Sequence, residues 1–106
     1  MTRRAHRVIV REEAERDISE AAAWYERQRP GLGDAFLSEV ESAIANAAAN
    51  PFQFCCLRRR PEVRRVLTRR FPYRVFFVRR KDAISVFRVL HGARDDREWK
   101  ENIPNQ

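Results

Sequence analysis

Between Arg58 and Arg80 the chain sets ten arginines against a single acid, Glu62. Guanidinium groups at that density suit phosphates and carboxylates, which they hold in charge-assisted, often bidentate contacts that weaken with salt. They do not by themselves make a catalyst. Cleaving RNA without a metal needs a base for the 2′-hydroxyl, an acid for the leaving oxygen and cations for the phosphorane. Arginine supplies only the cations, because it stays protonated. The candidate proton carriers are His6, His91, Tyr25, Tyr73 and the carboxylates. His91 follows the last expected strand and stands three residues before Arg94, a rim position. A histidine there serves more often as a hydrogen-bonded structural residue than as a catalyst. Tyr73 is expected to face the core, with its hydroxyl partnered.

Other chemistry is not supported. No carboxylate cluster or His/Cys spacing suggests a metal centre, and no cofactor is expected. Gly31-x-Gly33 joins two helices rather than a strand to a helix, which argues against a phosphate-binding loop. Cys55 and Cys56 are adjacent, and neighbouring cysteines rarely form a disulfide. They are expected to be small core or loop residues in a reducing compartment.

The 106 residues suit one domain over 1–106 with one core. With 43% hydrophobic and 10% aromatic residues, intrinsic disorder is a poor reading despite a charged content of 35%. The longest bulky apolar run, Val75 to Val78, is too short to cross a bilayer. Met1-Thr2-Arg3-Arg4 is followed by no apolar stretch of the kind a secretory signal has, so a cytoplasmic location is expected. The net charge of +7 is unevenly spread. Residues 1–50 carry seven basic against nine acidic groups, and residues 51–106 carry fifteen against six. Arg-rich coding would explain why 20 of the 22 basic residues are Arg, but not this asymmetry. The second half is a cationic surface suited to an anionic partner.

The elements that must position these groups follow from periodicity. Ala5 to Val10 has the β-branched content of a strand. Ala14, Ile18, Ala21, Ala22 and Tyr25 make one apolar helical stripe, so a helix is expected from about Glu12 to Gln28, with Glu12, Glu13 and Glu15 favoured by the dipole in its first turn. Pro30-Gly31-Leu32-Gly33 breaks it, and Phe36, Val40, Ala43, Ile44 and Ala47 make a second stripe that ends before Pro51. Two helices so closely joined form an antiparallel hairpin, and their stripes need a sheet. Val63–Thr68, Tyr73–Val78 and Ala83–Leu90 supply it. If Val78 pairs with Ala83 across a tip at 79–82, one face carries Val75, Phe77, Ile84, Val86 and Leu90 and seats the hairpin. The other carries Arg74, Phe76, Val78, Phe87 and Val89, too apolar to stay open, so the first strand's surroundings, the C-terminal tail or a partner should cover part of it. Asp95 to Trp99 is expected to form one helical turn, with Trp99 as an anchor. The class is α+β, in the order βααβββ, with a helix hairpin on a small, mainly antiparallel sheet.

Taken together, several blocks resemble the RelE/ParE toxin superfamily: Ala22-Ala23-Trp24-Tyr25, Pro30-Gly31-Leu32-Gly33 with Phe36, Val63-Arg64-Arg65, Phe71 to Phe77, and Val89 to Asp95 with Trp99. The resemblance covers nearly the whole chain and implies the same hairpin-and-sheet fold. It also implies the toxin of a type II toxin–antitoxin pair, in a hetero-oligomer with a partly disordered protein antitoxin. On that reading Arg64, Arg65, Arg69, Arg70, Arg74, Arg94 and the apolar Phe76 and Phe87 would meet the antitoxin or the target. Two activities are open. A RelE-like toxin cleaves mRNA on the ribosome, and here Arg65, Arg74 and His91 would serve as phosphate binders and proton carrier. A ParE-like toxin inhibits DNA gyrase. No Tyr or His follows Arg94, and the Ala-Ala-Trp-Tyr and Pro-Gly-Leu-Gly blocks look ParE-like, so the gyrase reading is preferred.

Overall fold

A computed structural model describes residues 5–105, so the basic start Met1–Arg4 lies outside the described residues. The order is β1 (Arg7–Val10), α1 (Glu12–Gln28), α2 (Leu32–Ala49), a 3-10 turn (Pro51–Gln53), β2 (Cys55–Arg59), β3 (Glu62–Leu67), β4 (Tyr73–Arg79), β5 (Ala83–His91) and α3 (Arg97–Lys100). The five strands lie in the order β1-β5-β4-β3-β2, with β1 parallel to β5 and every other pair antiparallel. This is the α+β fold expected, with one strand more than the sequence suggested. The addition is β2, an edge strand, and it leaves Cys55 and Cys56 exposed rather than in the core. Among the described residues no helix is long and apolar enough to cross a membrane.

The helix hairpin closes through backbone chemistry. Gly31 takes φ 90°, a left-handed conformation that glycine adopts without a Cβ clash. The first N–H groups of a helix lack internal partners and attract negative charge. Glu26 of α1 answers this need in α2, its carboxylate accepting from Gly31 N at 3.0 Å and Gly33 N at 3.0 Å. The helices approach so closely that a Cβ on Gly33 would stand 2.7 Å from the Ala22 carbonyl oxygen. The hairpin then buries Ala14, Phe36, Val40, Ala43 and Ala47, the stripe residues, against one face of the sheet and the aromatic Phe71.

The β4–β5 register differs from expectation. Val78 faces Ser85 and Arg79 faces Ile84, with Arg80 N donating to Ala83 O at 2.8 Å. The tip is therefore tighter, with Lys81 and Asp82 at its centre, and the ladder gains pairs near it. A second difference follows further along. Phe77 faces Val86 but Phe76 faces Arg88, leaving Phe87 as the extra residue of a β-bulge. One inserted residue reverses the facing of everything beyond it. Val89 thus joins Val75, Phe77, Ile84 and Val86 under the helices, while Leu90 joins Phe76, Val78 and Phe87 on the opposite face. The expectation had Val89 and Leu90 the other way round.

That opposite face is covered by the chain's own tail. Trp99 stacks on Phe76 with centroids 5.5 Å apart, and Ile103 and Leu57 pack around them. Of the three covers considered, the tail is the one seen. Phe76 and Phe87, expected to meet a partner, are buried beneath it at 0% and 2% exposure, because an apolar face this large is stabilised by the nearest apolar segment.

Candidate functional site

The dense run of arginines does not form one patch. Antiparallel strands send successive turns to opposite ends of a sheet. The β2–β3 turn, with Arg60 and the adjoining Arg58 and Arg59 of β2, and the β4–β5 tip, with Arg80 and Lys81, share one end, since Val63 of β3 pairs with Val78 of β4. Arg69 and Arg70 lie in the β3–β4 connection at the other end, about 20 Å away at the usual rise per strand residue.

Several arginines are spoken for within the fold. Glu62 accepts from Arg64 Nε at 2.6 Å and from Arg79 Nε at 2.8 Å and Nη2 at 2.9 Å. These contacts, led by the hydrogen bonds from Arg79, hold the Glu62 carboxyl down at about 2. Arg64 Nη1 also donates to Phe54 O at 2.7 Å, and both guanidiniums lie over the Phe52 ring. Arg74 is buried. Its Nη1 donates to Asp96 at 2.8 Å and its Nη2 to the Arg94 carbonyl at 2.8 Å, which ties the tail to β4. That hydrogen bond lowers the Asp96 carboxyl below its ordinary range. Arg94 is engaged by both carboxylate oxygens of Glu98, at 2.7 and 2.5 Å. Arg88, on the bulged strand, donates to Asp17 of α1 at 2.7 and 3.0 Å, and Asp17 also accepts from Val89 N at 2.9 Å. Arg64, Arg74 and Arg94, expected to meet the antitoxin or the target, each pair with a carboxylate of their own chain. Arg65, Arg69 and Arg70 make no ion pair among the described residues.

The three residues proposed as a catalytic set do not converge. Arg65 and Arg74 lie on the tail side of the sheet, where Arg74 sits over the Phe76 ring at 5.2 Å. His91 pairs with Tyr73, its ring edge-on at 5.3 Å, and faces α1 across a small pocket that also holds Glu20, Trp24 and Arg94. The bulge at Phe87 puts it there. His91 Nδ1 accepts from Ala93 N at 3.0 Å, which in the neutral ring leaves the proton on Nε2. Burial pushes the Tyr73 hydroxyl above its ordinary range. No group of three or more metal-ligating side chains occurs among the described residues.

Sequence reasoning missed a second feature, a cleft of about 800 Å³ between α2 and β3. Ala43, Phe54 and Val66 form its floor, Ser38, Ser42 and Asn46 its α2 wall, and Leu67, Arg69 and Arg70 its rim. Glu39 of α2 fixes that rim by accepting from Arg70 N at 2.8 Å and Phe71 N at 3.0 Å. Leu67 is 58% exposed there. The signal available in sequence was a run of small and polar residues, Ala35, Ser38, Ser42 and Asn46, beside the apolar stripe of α2. Small side chains lower a helix surface and leave a groove beside its neighbour.

With this geometry in hand, the family model for the ParE toxin of type II (ParDE) toxin–antitoxin systems matches residues 8–96. The chain belongs to the ParE toxin family. The match runs from Val8, within β1, to the Asp96 that locks Arg74, so the hairpin, nearly all of the sheet and the start of the tail fall within it. No individual curated protein matches the sequence. Members of this family are the toxin components of type II toxin–antitoxin systems.

Proposed function

We propose that this toxin arrests growth by binding DNA gyrase, without bond-breaking chemistry of its own, and that a cognate antitoxin holds it inactive in the cytoplasm. The observation that carries this reading is the placement of the would-be catalytic set. The His91 ring is on the helix side of the sheet, Arg65 and Arg74 are on the tail side, and the Arg74 guanidinium is committed to Asp96 and to the Arg94 and His91 backbone carbonyls rather than to the imidazole. Phosphoryl transfer needs the proton carrier and the cations around one phosphate. A surface that grips a larger protein has no such requirement.

The α2–β3 cleft is the place for the antitoxin. A segment that folds on binding would lay apolar side chains on Val66, Phe54 and Leu67 and set acids against Arg69 and Arg70 at the rim. Arg65 is the remaining unpaired arginine of β3. It stands on the tail side of the sheet and would be open to the target.

Purified toxin should block gyrase supercoiling of relaxed plasmid, and equimolar antitoxin should restore it. Ribosome-bound mRNA should stay uncut by primer extension. Discrete cuts that disappear in a folded His91→Ala variant, with supercoiling unaffected, would overturn the proposal in favour of a RelE-like endoribonuclease.

A further inference from the structure

The end of the sheet built from the β2–β3 and β4–β5 turns has no role in the reading above. Arg58 and Arg59 at the end of β2 and Arg60 in the first turn are exposed, and Arg80 and Lys81 stand at the second, 80–82. Neighbouring strands are about 4.8 Å apart, so the centres of two turns separated by two strands lie about 10 Å apart. The acids nearby do not cancel this charge. Glu62 is shared by Arg64 and Arg79, and Asp82 lies 4.0 Å from Arg7. Arg80 Nη2 is screened from solvent and has no hydrogen-bond partner among the described residues. Arg59 and Arg60 also line a shallow pocket of about 400 Å³ with Cys56, Glu62 and Arg64.

We propose that this two-turn end binds the phosphate backbone of duplex DNA. Phosphates are spaced regularly along a duplex, and two rigid cationic tips about 10 Å apart can engage separate phosphates at once. Planar guanidiniums, four of the five cations here, match phosphate oxygens bidentately. The exposed aromatic nearest this end, Phe52, lies beneath the Arg64 and Arg79 guanidiniums, so cations dominate what the two turns present. The phosphate chemistry stands on the cations alone. The choice of DNA over RNA rests on the gyrase reading, because that target works on a DNA segment that a bound toxin would lie beside.

The test is fluorescence anisotropy of a labelled 20-base-pair DNA duplex titrated with the toxin between 50 and 200 mM KCl. A duplex RNA and a poly-glutamate chain serve as the other arms. With about five phosphates engaged, the log–log salt slope should be about −4.5, which weakens binding about 500-fold across that range. Arg58→Gln/Arg60→Gln and Arg80→Gln/Lys81→Gln should each make the slope shallower by about 2. Arg27→Gln/Arg29→Gln, the same charge loss at the far end of α1, should leave it unchanged. Slopes that respond equally to all three pairs, or that respond to none, overturn the proposal. Tighter binding to poly-glutamate than to DNA, lost in the tip variants, reassigns the surface to an acidic protein and also overturns it. Preference for the RNA duplex overturns the choice of DNA. Supercoiling assays separate the two readings. Tip variants that lose DNA binding yet inhibit gyrase as well as wild type refute a DNA contact in the inhibited complex and leave the gyrase reading intact. Wild-type toxin that binds DNA with the expected slope but never inhibits gyrase supports this surface and sinks the gyrase reading.

Discussion

Glu62→Gln is the perturbation that most directly tests how the fold manages its arginines. The native carboxylate holds three hydrogen bonds from Arg64 and Arg79, at 2.6, 2.8 and 2.9 Å, and joins β3 to β4. Its folded pKa is about 2 against an ordinary 4.5. A carboxyl depressed in this way stabilises the fold fully above the unfolded value, and that stability is lost as pH falls from about 4.5 toward 2. At 1.36 kcal/mol per unit the shift sets a ceiling of about 3.4 kcal/mol. The trio keeps some solvent access, 15% to 24% by side chain, and screening brings the expected contribution to about 2 kcal/mol. Glutamine retains an acceptor but no charge, and it leaves two guanidiniums facing each other without a counter-ion. Urea unfolding followed by circular dichroism should therefore show the variant less stable by about 2 kcal/mol at pH 7. Near the folded pKa of about 2 the carboxylate contributes only RT ln 2, about 0.4 kcal/mol, so the difference should fall to about an eighth of its value at pH 7. A loss under about 0.5 kcal/mol at pH 7, or a gap that is the same at both pH values, would refute the argument. The same residue decides which arginines are free at the basic end, so stability and surface charge are coupled there.

Other consequences are as direct. Gly33→Ala forces a Cβ to within 2.7 Å of the Ala22 backbone oxygen, so the helices must part, and thermal melts should show a loss of about 1–3 kcal/mol. Asp17→Asn removes the charge that joins α1 to Arg88 and the bulged strand. Chemical denaturation should show about 3 kcal/mol lost, with Asp17→Asn/Arg88→Met recovering much of it; no recovery would place the cost elsewhere. Arg69→Glu/Arg70→Glu should slow antitoxin association at least tenfold at low salt and flatten its salt dependence, with a smaller change in dissociation rate by surface plasmon resonance. An unaltered association rate would take the antitoxin away from the α2–β3 cleft.

Local chemistry made much of this protein legible in one dimension. The two apolar stripes, the Pro-Gly-Leu-Gly break, the acidic first turn and the β-branched strands each depend on residues a few positions apart, and they fixed the helix hairpin and its seat on a sheet. Trp99 was legible as an anchor for the same reason, being a lone large aromatic in a charged tail. The edge strand Cys55–Arg59 was not, because four of its five residues are exposed and it carries no alternating apolar pattern. Pairing partners were decided only in three dimensions. The bulge at Phe87 is set by how the whole ladder packs, and it alone exchanged Val89 with Leu90 and carried His91 to the helix side. Charge behaved likewise. The sequence gives the number of arginines, but whether a guanidinium is free depends on a carboxylate arriving from elsewhere in the chain. Asp17 meets Arg88 across 71 positions, Asp96 meets Arg74 across 22, and Glu62 meets Arg79 across 17. Long-range pairing is a property of the folded arrangement, so the division of one arginine-rich run into internal ties and two separate cationic ends belongs to the tertiary structure.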